Sequence, residues 1–519
     1  MNGRVTATVV AAMLTLAGCR STQPVPGRLA EAPPNEVSGV HIPDGRVDDA
    51  VSKLDGLAAD LMKETGIPGM AVAVVHGGKP IYVKGFGVRD VRSGAQVGPD
   101  TVFQLASVSK SLGATVVAHE VSENVVSWDT PVVEKLPWFA LSDPYVTQHV
   151  TIADLYAHRS GLPDHAGDEL EDLGYDRRQV LERLKYPKLS PFRNSYSYTN
   201  FGLTAAAEAV GVAAGRSWED LSRDVLYRPL GMTSTSSTYA DFTARPDHAV
   251  NHVKVGGKYE PRYQRNPDAQ SAAGGASSSA NDMAHWLIMM LANGSYAGRQ
   301  IASPQALLPA VTPQVISGPA AAPKARSGFY GYGFNASVTS SGRTEYSHSG
   351  AFALGAATAF AALPSEYVAI VVLTNAAPIG VPETVTAEFL DLVQYGQVRE
   401  NWSSLYRQAF ESMDKPRGSL VGKQPPEHPV SARPLDEYTG QYANDYWGPA
   451  AVTARGGALE LSLGPGNQVF PLRHWDGDTF VFSLSGENAP PGTISKATFA
   501  GDALVLEYYD QDGLGTFTR

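Results

Sequence analysis

The sequence predicts an α+β protein, an antiparallel sheet flanked by helices with a helical subdomain, followed by a small C-terminal antiparallel β-barrel. Three observations carry this. Hairpin patterns open and close one long block, helical periodicity fills the stretch between them, and short β-rich runs separated by turns occupy residues 435–519.

The first hairpin runs from Gly69-Met70-Ala71-Val72-Ala73-Val74-Val75 through His76-Gly77-Gly78-Lys79 to Pro80-Ile81-Tyr82-Val83-Lys84, two β-rich runs around a glycine turn. The second consists of apolar runs at 356–363 and 367–374, bracketing Pro364-Ser365-Glu366. Between them, residues 107–121, 202–214, 218–227 and 279–291 carry apolar side chains at spacings of three and four, the period of a helix with one buried face. Ser279 and Asp282 fit a capping box and are read as structural. Strands at both ends with helices between predict a sheet assembled from the two termini of the block. In the last block, runs at 452–454, 459–463, 469–472, 479–484, 498–499 and 504–509 predict a barrel or sandwich, whose role is packing or substrate gating.

Prolines mark the boundaries. Pro24, Pro26, Pro33, Pro34 and Pro43 make residues 19–45 an extended tether, and Pro416, Pro425, Pro426, Pro429 and Pro434 place a linker at 396–434. The catalytic block is then 46–395 and the barrel 435–519. Ahead of the tether, residues 1–4 carry one positive charge, and 5–16 form a mostly apolar run ending in Leu16-Ala17-Gly18-Cys19. That run is shorter than the roughly 20 residues a membrane span needs but suits the core of a signal peptide over 1–18. Small residues before a cysteine resemble the bacterial lipobox. The resemblance implies lipidation at Cys19, and Arg20 after it implies sorting to the outer membrane; an ordinary secretory signal is the alternative. The expected location is the periplasm, with the membrane touched through a lipid anchor only.

Among the 519 residues, 43% are hydrophobic, which excludes a largely disordered chain. Acidic residues number 52 against 41 basic ones, a net charge of −11 with no basic stripe, so no nucleic-acid partner is expected. Cys19 is the single cysteine, leaving no intramolecular disulfide and no cysteine zinc cluster. His248 and His252 are four apart but lack a following glutamate, so no metal and no cofactor are expected, and the absence of Gly-x-Ser-x-Gly excludes a nucleophile elbow.

Three short motifs carry the chemistry. Ser107-Val108-Ser109-Lys110 opens a predicted helix, where a spacing of three brings the Lys110 amine to the Ser107 hydroxyl, and the free N–H groups of the helix start favour a developing anion. A second Ser-x-x-Lys, Ser412 to Lys415, has no apolar helix behind it and is dismissed. In Tyr196-Ser197-Tyr198-Thr199-Asn200, an extended segment projects Tyr198 and Asn200 to one side, and a nearby ammonium is expected to lower the Tyr198 pKa so that the phenol serves as a base. In His348-Ser349-Gly350-Ala351, Gly350 is expected to let a substrate backbone approach, and the Ala351 N–H to join the Ser107 N–H in an oxyanion hole.

In this order, Ser-x-x-Lys, Tyr-x-Asn and His-x-Gly resemble the signature of the serine β-lactamase and penicillin-binding protein superfamily, in its class C-like branch. Further stretches are similar to that branch: Thr151-Ile152-Ala153-Asp154-Leu155, His158-Arg159-Ser160-Gly161-Leu162-Pro163, Arg228-Pro229-Leu230-Gly231-Met232, Gly274-Gly275-Ala276 and Val372-Leu373-Thr374-Asn375. The resemblance covers about residues 50–395. It implies a β-lactamase/DD-peptidase-like fold and a lipocalin-like barrel after it. It also implies Ser107 as acylated nucleophile, Lys110 and Tyr198 as the proton-transfer pair, Asn200 as the group orienting Lys110 and the substrate amide, and the Ser107 and Ala351 amides as oxyanion hole. His158 and Arg159 are read as loop anchors. His348 stands where β-lactamases and carboxypeptidases carry a lysine. A mostly neutral imidazole is a poor partner for a substrate carboxylate, which shifts the expectation to a peptidase or amidase acting on a small, unusual or D-configured peptide. An esterase is the runner-up and a β-lactamase or DD-carboxypeptidase comes third. The alternative of another class is a non-catalytic receptor for cell-wall peptides.

Overall fold

The computed structural model describes residues 33–519, so Cys19 and the leader lie outside the described residues. The first hairpin is formed by β1 (Gly69–His76) and β2 (Lys79–Asp90), turning through Gly77 and Gly78 at φ 58° and 80°. Positive φ at both central positions matches the twist of the flanking strands, and glycine adopts it without strain. After β3 (Ala95–Gln96), the chain returns to the sheet as β4 (Val315–Gly318), β5 (Gly328–Tyr330), β6 (Asn335–Val338), β7 (Thr344–Phe352), β8 (Ala356–Leu363) and β9 (Val368–Thr374). The nine strands lie in the order β4-β5-β6-β7-β8-β9-β1-β2-β3. β9 pairs antiparallel with β1, Val72 opposite Val372 and Val74 opposite Ile370, so the two ends of the block meet at the sheet centre.

Six helices of nine residues or more among the described residues frame the account: α1 (Leu54–Thr65), α2 (Ser109–Ser122), α3 (Asn200–Ala214), α4 (Ala280–Leu291), α5 (Val381–Tyr395) and α6 (Trp402–Phe410). On one sheet face, Val72, Val74, Ile370 and Val372 share a core with Leu54, Ala58 and Leu61 of α1 and Val385 and Phe389 of α5. On the other, Ala71, Ala73, Val371, Leu373 and Phe360 belong to the core that contains α4 and the helical subdomain. Trp286 of α4 is fully buried there, edge-on to Phe360 at 4.9 Å, with its Nε1 donating to Thr115 Oγ1 at 3.1 Å. Burial on both faces explains why β8 and β9 read as largely apolar runs, each buried Val or Ile side chain of β9 contributing about 1.5–3 kcal/mol.

Local differences from the expectation have tertiary causes. The stretch 218–227 is an α-turn, Trp218–Ser222, followed by a π-helical turn, Arg223–Tyr227. Ser279 caps α4 by accepting from the Asp282 N–H, but the Asp282 carboxylate takes the Ser234 N–H and Thr235 hydroxyl instead of closing the box. The segment 396–434 carries α6, which docks on α5 with Trp402 Nε1 donating to Asp391 Oδ2 at 2.7 Å, and the prolines begin only after it.

The last block is an eight-stranded meander: β10 (Gly440–Tyr442), β11 (Ala450–Arg455), β12 (Ala458–Leu463), β13 (Gln468–Asp476), β14 (Thr479–Leu484), β15 (Thr493–Ala500), β16 (Ala503–Leu506) and β17 (Thr516–Thr518). Ala443 and Thr518 exchange backbone hydrogen bonds of 2.7 and 3.0 Å, nearly closing the barrel. It is bonded to the helical subdomain. Tyr175 donates to the Trp447 carbonyl at 2.8 Å, and Asn488 Nδ2 to Asp172 Oδ2 at 2.9 Å.

Candidate active site

Ser107 lies in a 3₁₀ turn, Ala106–Val108, that feeds directly into α2. Ala106 holds φ 46°, an uncommon conformation for a residue with a side chain, immediately before Ser107. The turn is pinned from both sides. The Leu105 N–H donates to the Ala276 carbonyl at 2.9 Å, and the Leu105 carbonyl accepts the Thr358 hydroxyl at 2.7 Å.

At the second position of α2, one turn after Ser107, Lys110 is fully buried. Its Nζ lies 3.0 Å from Ser107 Oγ, 2.7 Å from Asn200 Oδ1 and 2.9 Å from the Ala273 carbonyl oxygen. Burial lowers its pKa to about 7, with the charge of Asp168 working the other way. A neutral amine has two N–H bonds and one lone pair. With the N–H bonds given to the two carbonyl-type oxygens, the lone pair faces the serine hydroxyl.

Asn200 is the first residue of α3, not part of a strand, and Tyr198 lies in the irregular stretch before it. Both still line the cleft because that stretch is clamped: the His165 N–H donates to the Tyr198 carbonyl at 2.8 Å, the Ser197 N–H to the His158 carbonyl at 3.0 Å, and the Thr199 N–H to His158 Nδ1 at 3.2 Å. His158 therefore anchors this loop, and Arg159 Nε bonds Asp154 Oδ1 at 2.8 Å. Lys110 Nζ sits 4.6 Å from the centre of the Tyr198 ring. Yet the Tyr198 phenol is pushed well above its ordinary pKa, opposite to expectation, because burial outweighs the smaller lowering effect of the adjacent Ser107 hydroxyl. Burial thus favours the uncharged form of both partners, a neutral amine and a neutral phenol.

His348, on β7, is buried at the cleft wall. Its Nδ1 lies 2.6 Å from the Ser349 carbonyl oxygen and its Nε2 2.8 Å from the Tyr330 hydroxyl, which assigns a proton to Nδ1 and leaves Nε2 accepting. Burial, reinforced by Lys110, lowers its pKa to about 3, so no cation stands here near neutral pH. Gly350 has a packing role of its own. A Cβ at this position would lie 2.2 Å from the Leu105 carbonyl oxygen and 3.0 Å from the Ser107 nitrogen, so the glycine admits the Ser107 turn against β7. β6 pairs with β7 only as far as Asn335 opposite Ser347, and Ala351, on the edge left open beyond it, lines the same cleft as Ser107.

Several contributors carry no sequence signal. Asp168 Oδ2 receives Asn200 Nδ2 at 2.8 Å and lies 2.7 Å from His165 Nδ1. Burial opposes a charge on His165, but its hydrogen bond to Asp168 and that carboxylate's charge raise it to about 9. From the barrel, Glu487 accepts the Ala353 and Leu354 N–H groups at 2.8 and 3.2 Å, directly after the Ala351 edge. Trp447, Tyr508 and Asp512 of the barrel line the cleft, whose volume is about 760 Å³. Apart from the Asp168–His165 pair, three residues apart, these contacts join residues distant in sequence that only the fold brings together. His248 and His252 make backbone bonds to Arg245 and Asn375, and among the described residues no group of three or more His, Cys, Asp or Glu could hold a metal ion.

The family model described as Beta-lactamase matches residues 54–395, and one for a domain of unknown function, DUF3471, matches 424–503. The chain is 28% identical over 435 residues to the unguisins hydrolase ungD' of Aspergillus campestris, covering 78% of each chain. It is 34% identical over 206 residues to penicillin-binding protein 4 of Amycolatopsis lactamdurans, covering 39% of this chain and 53% of that one. Over 250 residues it is 25% identical to the D-alanyl-D-alanine-carboxypeptidase/endopeptidase AmpH of Escherichia coli, covering 47% and 62%. In fold it is similar to the octameric penicillin-binding protein homologue from Pyrococcus abyssi, with a TM-score of 0.58, 21% identity and coverage of 88% and 98%. The class C β-lactamase from Rhodobacter sphaeroides gives a TM-score of 0.54, 21% identity and coverage of 66% and 98%.

Proposed function

This chain belongs to the β-lactamase family, and from that membership we propose that it hydrolyses the amide bond of a small or unusual peptide through an acyl-enzyme on Ser107. The observation that carries this reading is the arrangement around Lys110, whose lone pair is left for the Ser107 hydroxyl. The Lys110 amine takes the hydroxyl proton as Oγ attacks the carbonyl carbon, and the amides of Ser107 and Ala351 hold the oxyanion, each such donor worth roughly 3 kcal/mol. The Lys110 ammonium then returns its proton through the neutral Tyr198 phenol to the leaving amine. A water takes the leaving group's place and loses its proton along the same route, giving the acid and free Ser107. Asn200 orients Lys110 and the substrate amide. The neutral His348 disfavours a substrate that must anchor a carboxylate there, and a relative with a carboxypeptidase/endopeptidase name supports peptide hydrolysis over ester hydrolysis.

Ser107→Ala is expected to abolish turnover with an unchanged melting temperature. Wild-type turnover in that variant on its best substrate, from a panel of p-nitrophenyl ester, D-aminoacyl amide, linear L-peptide and nitrocefin, would overturn the assignment. The same proposal places the enzyme in the periplasm, lipid-anchored at Cys19. No described helix is long and apolar enough to cross a membrane. Labelling of the protein with a palmitate analogue should disappear in Cys19→Ser.

A further inference from the structure

Behind β7, on the sheet face covered by α5 and α6, lies a second cavity of about 370 Å³. It shares Asn335, His348 and Ser349 with the catalytic cleft, so both spaces reach the strand edge left open where β6 ends. Ala359, Ala361 and Leu390 supply its apolar surface, and three carboxylates line it: Glu345, Glu383 and Asp391. Asp391 is already engaged by the Arg399 N–H and Trp402 Nε1. Glu383 is not. Only 6% exposed, it accepts the Ser349 hydroxyl through Oε1 at 2.7 Å, while its buried Oε2 has no hydrogen-bond partner among the described residues. Glu345 faces the hydroxyls of Ser337 and Ser347. Among the lining residues Arg326 is the one permanent cation, His348 being held neutral and Tyr406 a raised phenol. Burial pushes Glu345 and Glu383 each up to about 7, with their serine hydroxyls opposing.

We propose that this cavity is a subsite for an ammonium group on an aliphatic stem, carried by the substrate that acylates Ser107, with Glu383 and Glu345 as its counter-ions. The proposal rests on Ser107 as the acylated nucleophile. Ser349 lies two residues from Ala351, roughly 7 Å along the strand, so a stem of a few methylenes spans from the oxyanion hole to the acids. The apolar surface takes the stem, and the Glu383 and Glu345 carboxylates take the charge.

Full-length wild type, Glu383→Gln and Glu345→Gln are compared for kcat/KM on p-nitrophenyl 6-aminohexanoate and on p-nitrophenyl hexanoate, with melting temperatures to confirm folding. Wild type is expected to prefer the ammonium ester at least tenfold, and the ratio to fall at least fivefold in both variants. In parallel, calorimetry follows n-pentylammonium chloride binding to Ser107→Ala and to Ser107→Ala/Glu383→Gln, with binding expected only in the first. No preference in wild type, a preference unaltered in both variants, or equal pentylammonium binding with and without Glu383 overturns the subsite. Should neither ester turn over, the Ser107 reading fails, and the calorimetry still decides the cavity.

Discussion

Replacing Gly350 with alanine tests whether the strand and the nucleophile's turn form one unit. The added methyl would sit 2.2 Å from the Leu105 carbonyl oxygen, 2.5 Å from Thr358 Oγ1 and 3.0 Å from the Ser107 nitrogen. The Thr358 side chain can rotate, at the loss of its bond to the Leu105 carbonyl. The other two atoms are backbone and cannot step aside, so β7 and the turn must separate by about 1 Å, a displacement that by itself costs on the order of 10²-fold in rate. The separation also pulls the Ser107 and Ala351 amides apart, and one lost oxyanion donor costs about 10²–10³ in kcat. Overpacking adds about 1–3 kcal/mol of destabilisation. Gly350→Ala is therefore expected to remain folded with a lower melting temperature and to lose at least about 10² in kcat on a p-nitrophenyl ester. Gly56→Ala, in α1 with nothing within 4 Å of the new Cβ, is the control and should be slightly stabilised with unchanged turnover. A Gly350→Ala kcat within about threefold of wild type would refute this account of the oxyanion hole.

Three further outcomes follow from the charges. Because folding lowers the Lys110 pKa to about 7 and the neutral amine is the base, kcat/KM should rise with pH through an apparent pKa near 7, and a profile flat between pH 5 and 9 contradicts this. Asp168→Asn removes the charge that sustains protonated His165, so the His165 midpoint, read by NMR, should fall from about 9 towards 6.5; an unmoved midpoint rules out Asp168 as the cause. Glu487→Ala strips the acceptor from the Ala353 and Leu354 amides next to the oxyanion strand and should lower kcat more than it raises KM. Glu487→Gln, which still accepts one of these bonds, should recover part of the loss, and equal kcat in all three proteins would confine the barrel to packing.

What was legible in the sequence was whatever a local pattern encodes. The largely apolar runs of β8 and β9 report burial on both faces, and Gly77-Gly78 reports a turn needing positive φ twice, so the sheet and its central hairpins were readable. Ser107 and Lys110 were readable because helical spacing alone brings them together. The three-residue strands β10 and β17 were not, since their pairing depends on barrel closure through Ala443 and Thr518 rather than on a run of their own. Nor could the sequence say that the Tyr198 phenol is raised: its neighbours argue for lowering, and only burial, a property of the assembled fold, reverses the sign. Asp168 and Glu487 went unseen for the same reason, since the groups they hold in the cleft, Asn200 and Ala353, lie 32 and 134 positions away.

Asp168 also explains how the cleft manages without a cation at His348. The Lys110 amine needs a pKa low enough to be free near neutrality and high enough to bind the serine proton. Burial alone drives it down, and Asp168, held against Asn200, pulls it back towards 7. A permanent positive charge at position 348 would add to the downward push. Here the imidazole is instead fixed neutral between the Ser349 carbonyl and the Tyr330 hydroxyl. A positive charge stands across the cleft on His165, where the same Asp168 oxygen that orients Asn200 keeps it protonated. One carboxylate thereby sets the basicity of the amine, the direction of the amide beside it and the protonation of His165 across the cleft.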